Sequence, residues 1–184
     1  MVDLRTHSEL DSSPNPFRHD STVEYHHAPI FSDEEGYGFG EWPGAGAVYS
    51  HWLRARSDGI ARALRTVAAL PGPLLIGCTL GCDRTGVISA FLLSIAGVPA
   101  AVIARDYALS GRHLRHHLAG WIQAAVAAGA DPDEASRKVM IQSRHMLSML
   151  SELDDAHGGA HCYLRRAGLE DVEVRRLKAL LLAE

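Results

Sequence analysis

Long apolar runs, a surplus of one charge and a cysteine framework are all missing from this 184-residue chain. None of its apolar stretches reaches the roughly 20 residues that a membrane-crossing helix needs. The formal net charge is −4, so the chain lacks the basic footprint of a protein that binds nucleic acid or an anionic membrane surface. The opening residues, MVDLRTHSELDSS, hold no apolar segment of the kind a secretory signal carries. Three cysteines, Cys78, Cys82 and Cys162, are few and odd in number, which excludes a disulfide scaffold and points to a reducing, cytoplasmic setting. Repeats and low-complexity tracts are absent as well. What is present is enough apolar residue, 47%, to bury a sizeable core in one domain spanning residues 1–184.

Glycine and proline punctuate the pattern. Residues 1–5 read as a short strand and residues 23–30 as a second. Residues 31–47, FSDEEGYGFGEWPGAGA, are glycine-rich and acidic, and a loop this long is usually functional or mobile. Helical periodicity then runs over residues 47–70, with Leu53, Ile60, Leu64 and Val67 on one stripe, until Pro71-Gly72-Pro73 stops it. Residues 74–76 read as a buried strand. Helices are expected over residues 85–96, 99–109 and 112–128. Asp131-Pro132-Asp133-Glu134 has the N-cap, N1 proline and capping acid of a further helix start. The tail from residue 135 is helical, broken at Gly158-Gly159 and near Gly168. Strands come few and early, helices many and late, which predicts an α/β core with a helical C-terminal half.

One stretch asks for a chemical explanation: LLIGCTLGCDRTGV, residues 74–87. A turn between a strand and a helix start gathers backbone N–H groups at the positive end of the helix dipole, which makes an anion site. Gly81 and Gly86 let the backbone approach a ligand. Arg84 adds a planar fork for two phosphate oxygens. Cys78 starts the turn, where the same field favours thiolate, and a thiolate facing an arginine-bound phosphoryl group is a nucleophile. Thr85 can donate a hydrogen bond to that sulfur and help it leave. A cysteine buried only as apolar filler would leave the arginine, the two glycines and the hydroxyl unexplained.

Cys78-Thr79-Leu80-Gly81-Cys82-Asp83-Arg84-Thr85-Gly86 resembles the C-x5-R signature of the protein tyrosine phosphatase superfamily. It most resembles bacterial tyrosine phosphatases whose loop reads H-C-x-x-G-K-D-R-T-G. Val2-Asp3-Leu4-Arg5 with Glu9 is similar to that family's early strand, and Arg105 to Ser110 to the segment after its phosphate-loop helix. Gly158-Gly159 through Tyr163-Leu164 and Gly168-Leu169 are similar to its C-terminal helices. The resemblance implies a three-layer α/β fold with a mostly parallel sheet. It also implies phosphomonoester hydrolysis through a phosphocysteine on Cys78, with neither metal nor cofactor. The phosphate would lie on Arg84 and the amides of Thr79, Leu80, Gly81, Cys82 and Asp83. Three departures stand out: Gly77 replaces the family's histidine, Cys82 replaces its lysine, and the chain begins on the first strand where members usually carry some tens of residues before it.

The leaving group also needs a proton. Asp83 matches the family's loop aspartate and is one candidate donor. Glu41-Trp42-Pro43-Gly44 is similar to the Trp-Pro-Asp loop of other tyrosine phosphatases, but Gly44 stands where the aspartate would be, so Asp33, Glu35 or Glu41 could substitute. Cys82, four residues from Cys78, could resolve an oxidised Cys78, which leaves a thiol redox protein as one alternative. A phosphate-binding protein without catalysis is another. Cys162 reads as core. Arg112, His113, Arg115, His116 and His117 read as a solvated basic face, although His113 and His117 have the spacing of metal ligands. With no lysine at position 82 and an acidic 31–47 loop, several phosphates on one substrate would meet repulsion. The expected substrate carries one phosphate: phosphotyrosine, or a small metabolite such as a sugar or nucleoside phosphate.

Overall fold

The computed structural model describes residues 1–36 and 44–182. Strands β1 (Val2–Asp3), β2 (His26–His27) and β3 (Ile76–Gly77) form a parallel sheet in the order β2-β1-β3. The described helices are α1 (His7–Ser12), α2 (Ala45–Ala55), α3 (Ser57–Ala69), α4 (Asp83–Ile95), α5 (Ala100–His113), α6 (Arg115–Ala127), α7 (Pro132–Val139), α8 (Ser143–His157), α9 (Gly159–Arg166) and α10 (Asp171–Leu182). The chain is therefore mostly helical around a small parallel sheet. None of these helices is long and apolar enough to cross a membrane.

The centre strand is buried on both sides, with Val2, Asp3 and Leu4 all fully inaccessible. A carboxylate in that position must be satisfied by hydrogen bonds. Asp3 accepts from the Arg5 guanidinium at 2.9 Å and from Asn15 Nδ2 at 2.6 Å. Burial alone would raise its pKa; the bonds from Arg5 and Asn15 outweigh burial and carry it down to about 2. Outside the sheet, α3 packs on β1 and α4 on β3, α8 lies against α2 and α5, and α10 covers α3 and α4. Phe31, Tyr49, Trp52, Phe91 and Tyr163 fill the core between them. Hairpin α6–α7 stands apart: α6 buries no residue and packs mainly on α7.

All three strands are shorter than the sequence pattern predicts. Apolar alternation marks burial, whereas pairing requires a neighbouring strand alongside. The expected buried strand at residues 74–76 is instead Ile76–Gly77, on the sheet edge, and Leu75 is 53% exposed. The single helix expected over residues 47–70 is two, α2 and α3, broken at Arg56 (φ −128°, ψ 25°). Neither glycine nor proline marks that break. Arg56 is held there by Glu35, donating to its carboxylate and to its carbonyl, both at 3.0 Å. Arg112 and His113 end α5 rather than begin α6. Local signals read correctly are the Asp131 cap, which accepts from Glu134 N at 2.9 Å, and Gly158, left-handed at φ 73°, which closes α8.

Candidate active site

β3 runs into a turn at residues 78–82, and α4 begins at Asp83. Gly81 has φ 68°, in the left-handed region that disfavours side chains, and α4 begins two residues later. Among the described residues, the backbone N–H groups of Thr79, Leu80, Gly81 and Cys82 donate to no protein acceptor. Four open donors at a helix N-terminus are the donor set that an anion site needs. Half-buried Cys78 starts the turn, and Thr85 Oγ1 donates to Cys78 Sγ at 3.2 Å.

Arg84 is fully buried. Its Nη1 donates to Glu9 Oε2 at 2.5 Å and to the Leu4 carbonyl at 3.3 Å. Its Nη2 donates to Glu9 Oε1 at 2.6 Å and to Thr79 Oγ1 at 3.1 Å. The guanidinium carbon also lies 5.4 Å from the centroid of the Phe31 ring. Glu9 is placed by the capping box of α1, where Thr6 N donates to Glu9 Oε2 at 2.9 Å, and Thr79 donates its hydroxyl to the same carboxylate. Burial would raise the pKa of Glu9; the bonds from Arg84, Thr79 and Thr6 outweigh it and bring it to about 2. The sequence placed Glu9 only on a family-like segment, and nothing local signalled a partner 75 residues away.

These two carboxylates make a pH prediction. Both folded-state pKa values are depressed, so their stabilisation is present above about pH 5 and is lost as pH falls toward 2. Glu9→Gln removes its share, about 2 kcal/mol after allowing for partial exposure. In urea unfolding between pH 6 and pH 2.5 the variant should lose stability less steeply than the parent. Identical slopes would mean that Glu9 is not held as the geometry implies.

Asp83 points toward two buried tyrosines. Tyr49 donates its hydroxyl to Asp83 Oδ1, and its oxygen lies 2.7 Å from that of Tyr107. Burial, with the Asp83 charge second, raises the Tyr49 phenol well above its usual range, so the tyrosine stays a donor. Cys82, read from sequence as a thiol that could resolve an oxidised Cys78, is 2% exposed. Burial, with the Asp83 carboxylate second, pushes its thiol up to about 12. Cys162, expected in the core, is exposed instead, because the buried stripe of α9 is Ala160, Tyr163 and Leu164.

A cavity of about 460 Å³ opens over the turn. Glu9, Thr79, Asp83 and Arg84 supply its polar floor, Tyr107 lines it from α5, and the α6–α7 hairpin walls the far side. Cys78 does not line it. Nor do Asp33 and Glu35. Asp33 accepts from Ser8 N at 3.1 Å, and hydrogen bonding to Ser8 lowers its pKa. Glu35 accepts from Ser32 N at 2.7 Å, which lowers its own. Glu41 and Trp42 lie outside the described residues. Arg112, His113, Arg115, His116 and His117 are exposed and none of them lines the cavity. Among the described residues no group of three histidine, cysteine or acidic side chains could hold a metal.

A model of the tyrosine phosphatase family matches residues 1–183. The chain is similar to a tyrosine-protein phosphatase of Nostoc commune, at 29% identity over 195 residues, covering 98% of this chain and 65% of that protein. It is also similar to the triple specificity protein phosphatase PtpB of Mycobacterium tuberculosis (strain ATCC 25618 / H37Rv), at 29% identity over 139 residues. That match covers 68% of this chain and 50% of that protein. The chain thus spans between half and about two thirds of the length of these relatives.

Proposed function

The chain belongs to the tyrosine phosphatase family, and on that premise we propose that it is a cysteine-dependent phosphomonoester phosphatase on a three-layer α/β scaffold. The observation that carries this reading is the turn itself: open amides, the buried Arg84 fork and the Thr85–Cys78 hydrogen bond lie within eight residues, which supports an anion site there. The Cys78 thiolate attacks phosphorus, a P–S bond forms and the ester P–O bond breaks. Asp83 gives its proton to the departing oxygen. Arg84 and the amides of Thr79, Leu80, Gly81, Cys82 and Asp83 hold the equatorial oxygens as charge shifts onto them. Water then attacks the phosphocysteine and gives a proton to the Asp83 carboxylate, the P–S bond breaks, Thr85 stabilises the returning thiolate, and inorganic phosphate leaves with Asp83 protonated again. No cofactor enters the scheme. The setting proposed is the cytoplasm, and the substrate is an ester that carries one phosphate. The thiol redox alternative draws no support from Cys82, since a buried thiol at about 12 supplies little thiolate for exchange.

Nitrophenyl phosphate tests the reading. Acid-quenched protein should carry a phosphoryl group on Cys78, located by mass spectrometry. With Asp83→Asn, turnover of nitrophenyl phosphate should change little, because nitrophenolate leaves unaided. An alkyl phosphate should lose about 100-fold or more. A protein that neither turns over nor is labelled is not an enzyme of this class, and equal losses on both esters would remove Asp83 as the acid.

A further inference from the structure

Resting on the phosphatase reading, we infer that the cavity over the turn takes the phosphate monoester of a long aliphatic alcohol, its hydrocarbon chain lying between the turn and the α6–α7 hairpin. Apart from Lys138 on the hairpin, the charged lining of the cavity is gathered at one end. Arg84, Glu9, Thr79 and Asp83 form the phosphate end, and the walls leading away from it are Leu80, Leu114, Leu118, Trp121, Met140 and Ile141. Leu114, Leu118 and Trp121 are spaced i, i+4, i+7, which puts them on one helical stripe. In an ordinary surface helix that stripe would face the core. Here α6 buries no residue, Trp121 is 51% exposed and Met140 38%, so the stripe faces the cavity. Apolar surface held open beside an anion site gains free energy when a ligand covers it.

The walls discriminate among monophosphates. A sugar or nucleoside would set its hydroxyls against leucine and isoleucine, and each hydroxyl left without a partner is desolvated without compensation. A phosphotyrosine places an aromatic ring well, but peptide N–H and C=O groups follow it and need partners of their own. An alkyl chain needs none. Lys138 is the one charged side chain that the hairpin contributes, and it is paired with Glu134 at 2.8 Å. Among the described residues that line the cavity, a second phosphate therefore finds no set of cations. A volume of about 460 Å³ lies in the usual range for a small-molecule site, roughly 300–1,000 Å³, and exceeds what a phosphate alone would fill.

The test is a series of straight-chain alkyl phosphates, butyl to dodecyl, assayed below their aggregation concentrations. Nitrophenyl phosphate, a sugar phosphate, a nucleoside monophosphate and a phosphotyrosine peptide run alongside. kcat/KM should rise about two- to fourfold per methylene over the first several carbons and then level off as the cavity fills. Leu118→Gln and Trp121→Gln, both at solvent-accessible positions, should flatten that rise. A flat series, or a sugar phosphate or peptide that outperforms the longest ester, would overturn the inference while leaving the phosphatase reading in place, provided nitrophenyl phosphate is hydrolysed. Failure on nitrophenyl phosphate as well would remove both.

Discussion

Cys78→Ser should abolish turnover and spare anion binding. The serine hydroxyl is a far weaker nucleophile at neutral pH than a thiolate, and nothing in the turn is placed as a base to deprotonate it. Removing a covalent nucleophile typically costs about four to six orders of magnitude in kcat. The donor set does not depend on sulfur. Its open amides and Arg84 remain, so tungstate should bind the variant about as well as it binds the parent. Tungstate binding is read by calorimetry, turnover with nitrophenyl phosphate. A Cys78→Ser protein that retains even a hundredth of the parent's rate would mean that another group attacks phosphorus.

Arg84→Lys should be almost as damaging, by a different route. The charge is kept and the fork is lost. Arg84 reaches Glu9, Thr79 and the Leu4 carbonyl at once from a fully buried position. A single ammonium cannot span the two Glu9 oxygens and still present donors to phosphate. A loss of about 100- to 1,000-fold in kcat/KM is expected, the scale of losing one donor to transition-state charge. Tungstate affinity should fall with it, which separates this variant from Cys78→Ser. A drop of less than tenfold in both would show that net charge matters more than fork geometry.

The turn was legible because its signals are local. A strand, a glycine, Cys78, Gly81, Arg84 and a hydroxyl sit within nine residues, and backbone sterics join them in only a few ways. The Asp131 cap and the Gly158 stop were legible for the same reason. What the sequence hid was long-range. Glu9 sits on an exposed-looking helix start, and its role becomes visible only when α1 lies beside the turn. Tyr49 and Tyr107 fall on helical stripes like any core aromatic, and only packing brings their hydroxyls to Asp83. The periodicity of α6 is that of a core-facing helix, and sequence cannot distinguish a stripe that faces a core from one that faces a cavity. Cys82 misled for the same reason: position in a loop does not set exposure.

The sheet order has a consequence for how the molecule assembles. β1 is flanked on both sides, pairing Val2 with His26 and, across its other edge, with Ile76. The first pairing closes a short stretch of chain. The second must wait until α2 and α3 have been synthesised and brought back, and every contact between Arg84 and Glu9 spans 75 positions. Loop-closure entropy opposes such pairings until they are rewarded by contacts, and parallel pairings of this span are slow to form. Until β3 arrives, an apolar strand carrying the buried Asp3 has one edge unpaired and open to other chains. Glu9 and the turn that carries both Cys78 and Arg84 therefore meet late, so in a nascent chain the thiol and the guanidinium emerge together and the guanidinium is fixed in place only when α1 closes on the turn.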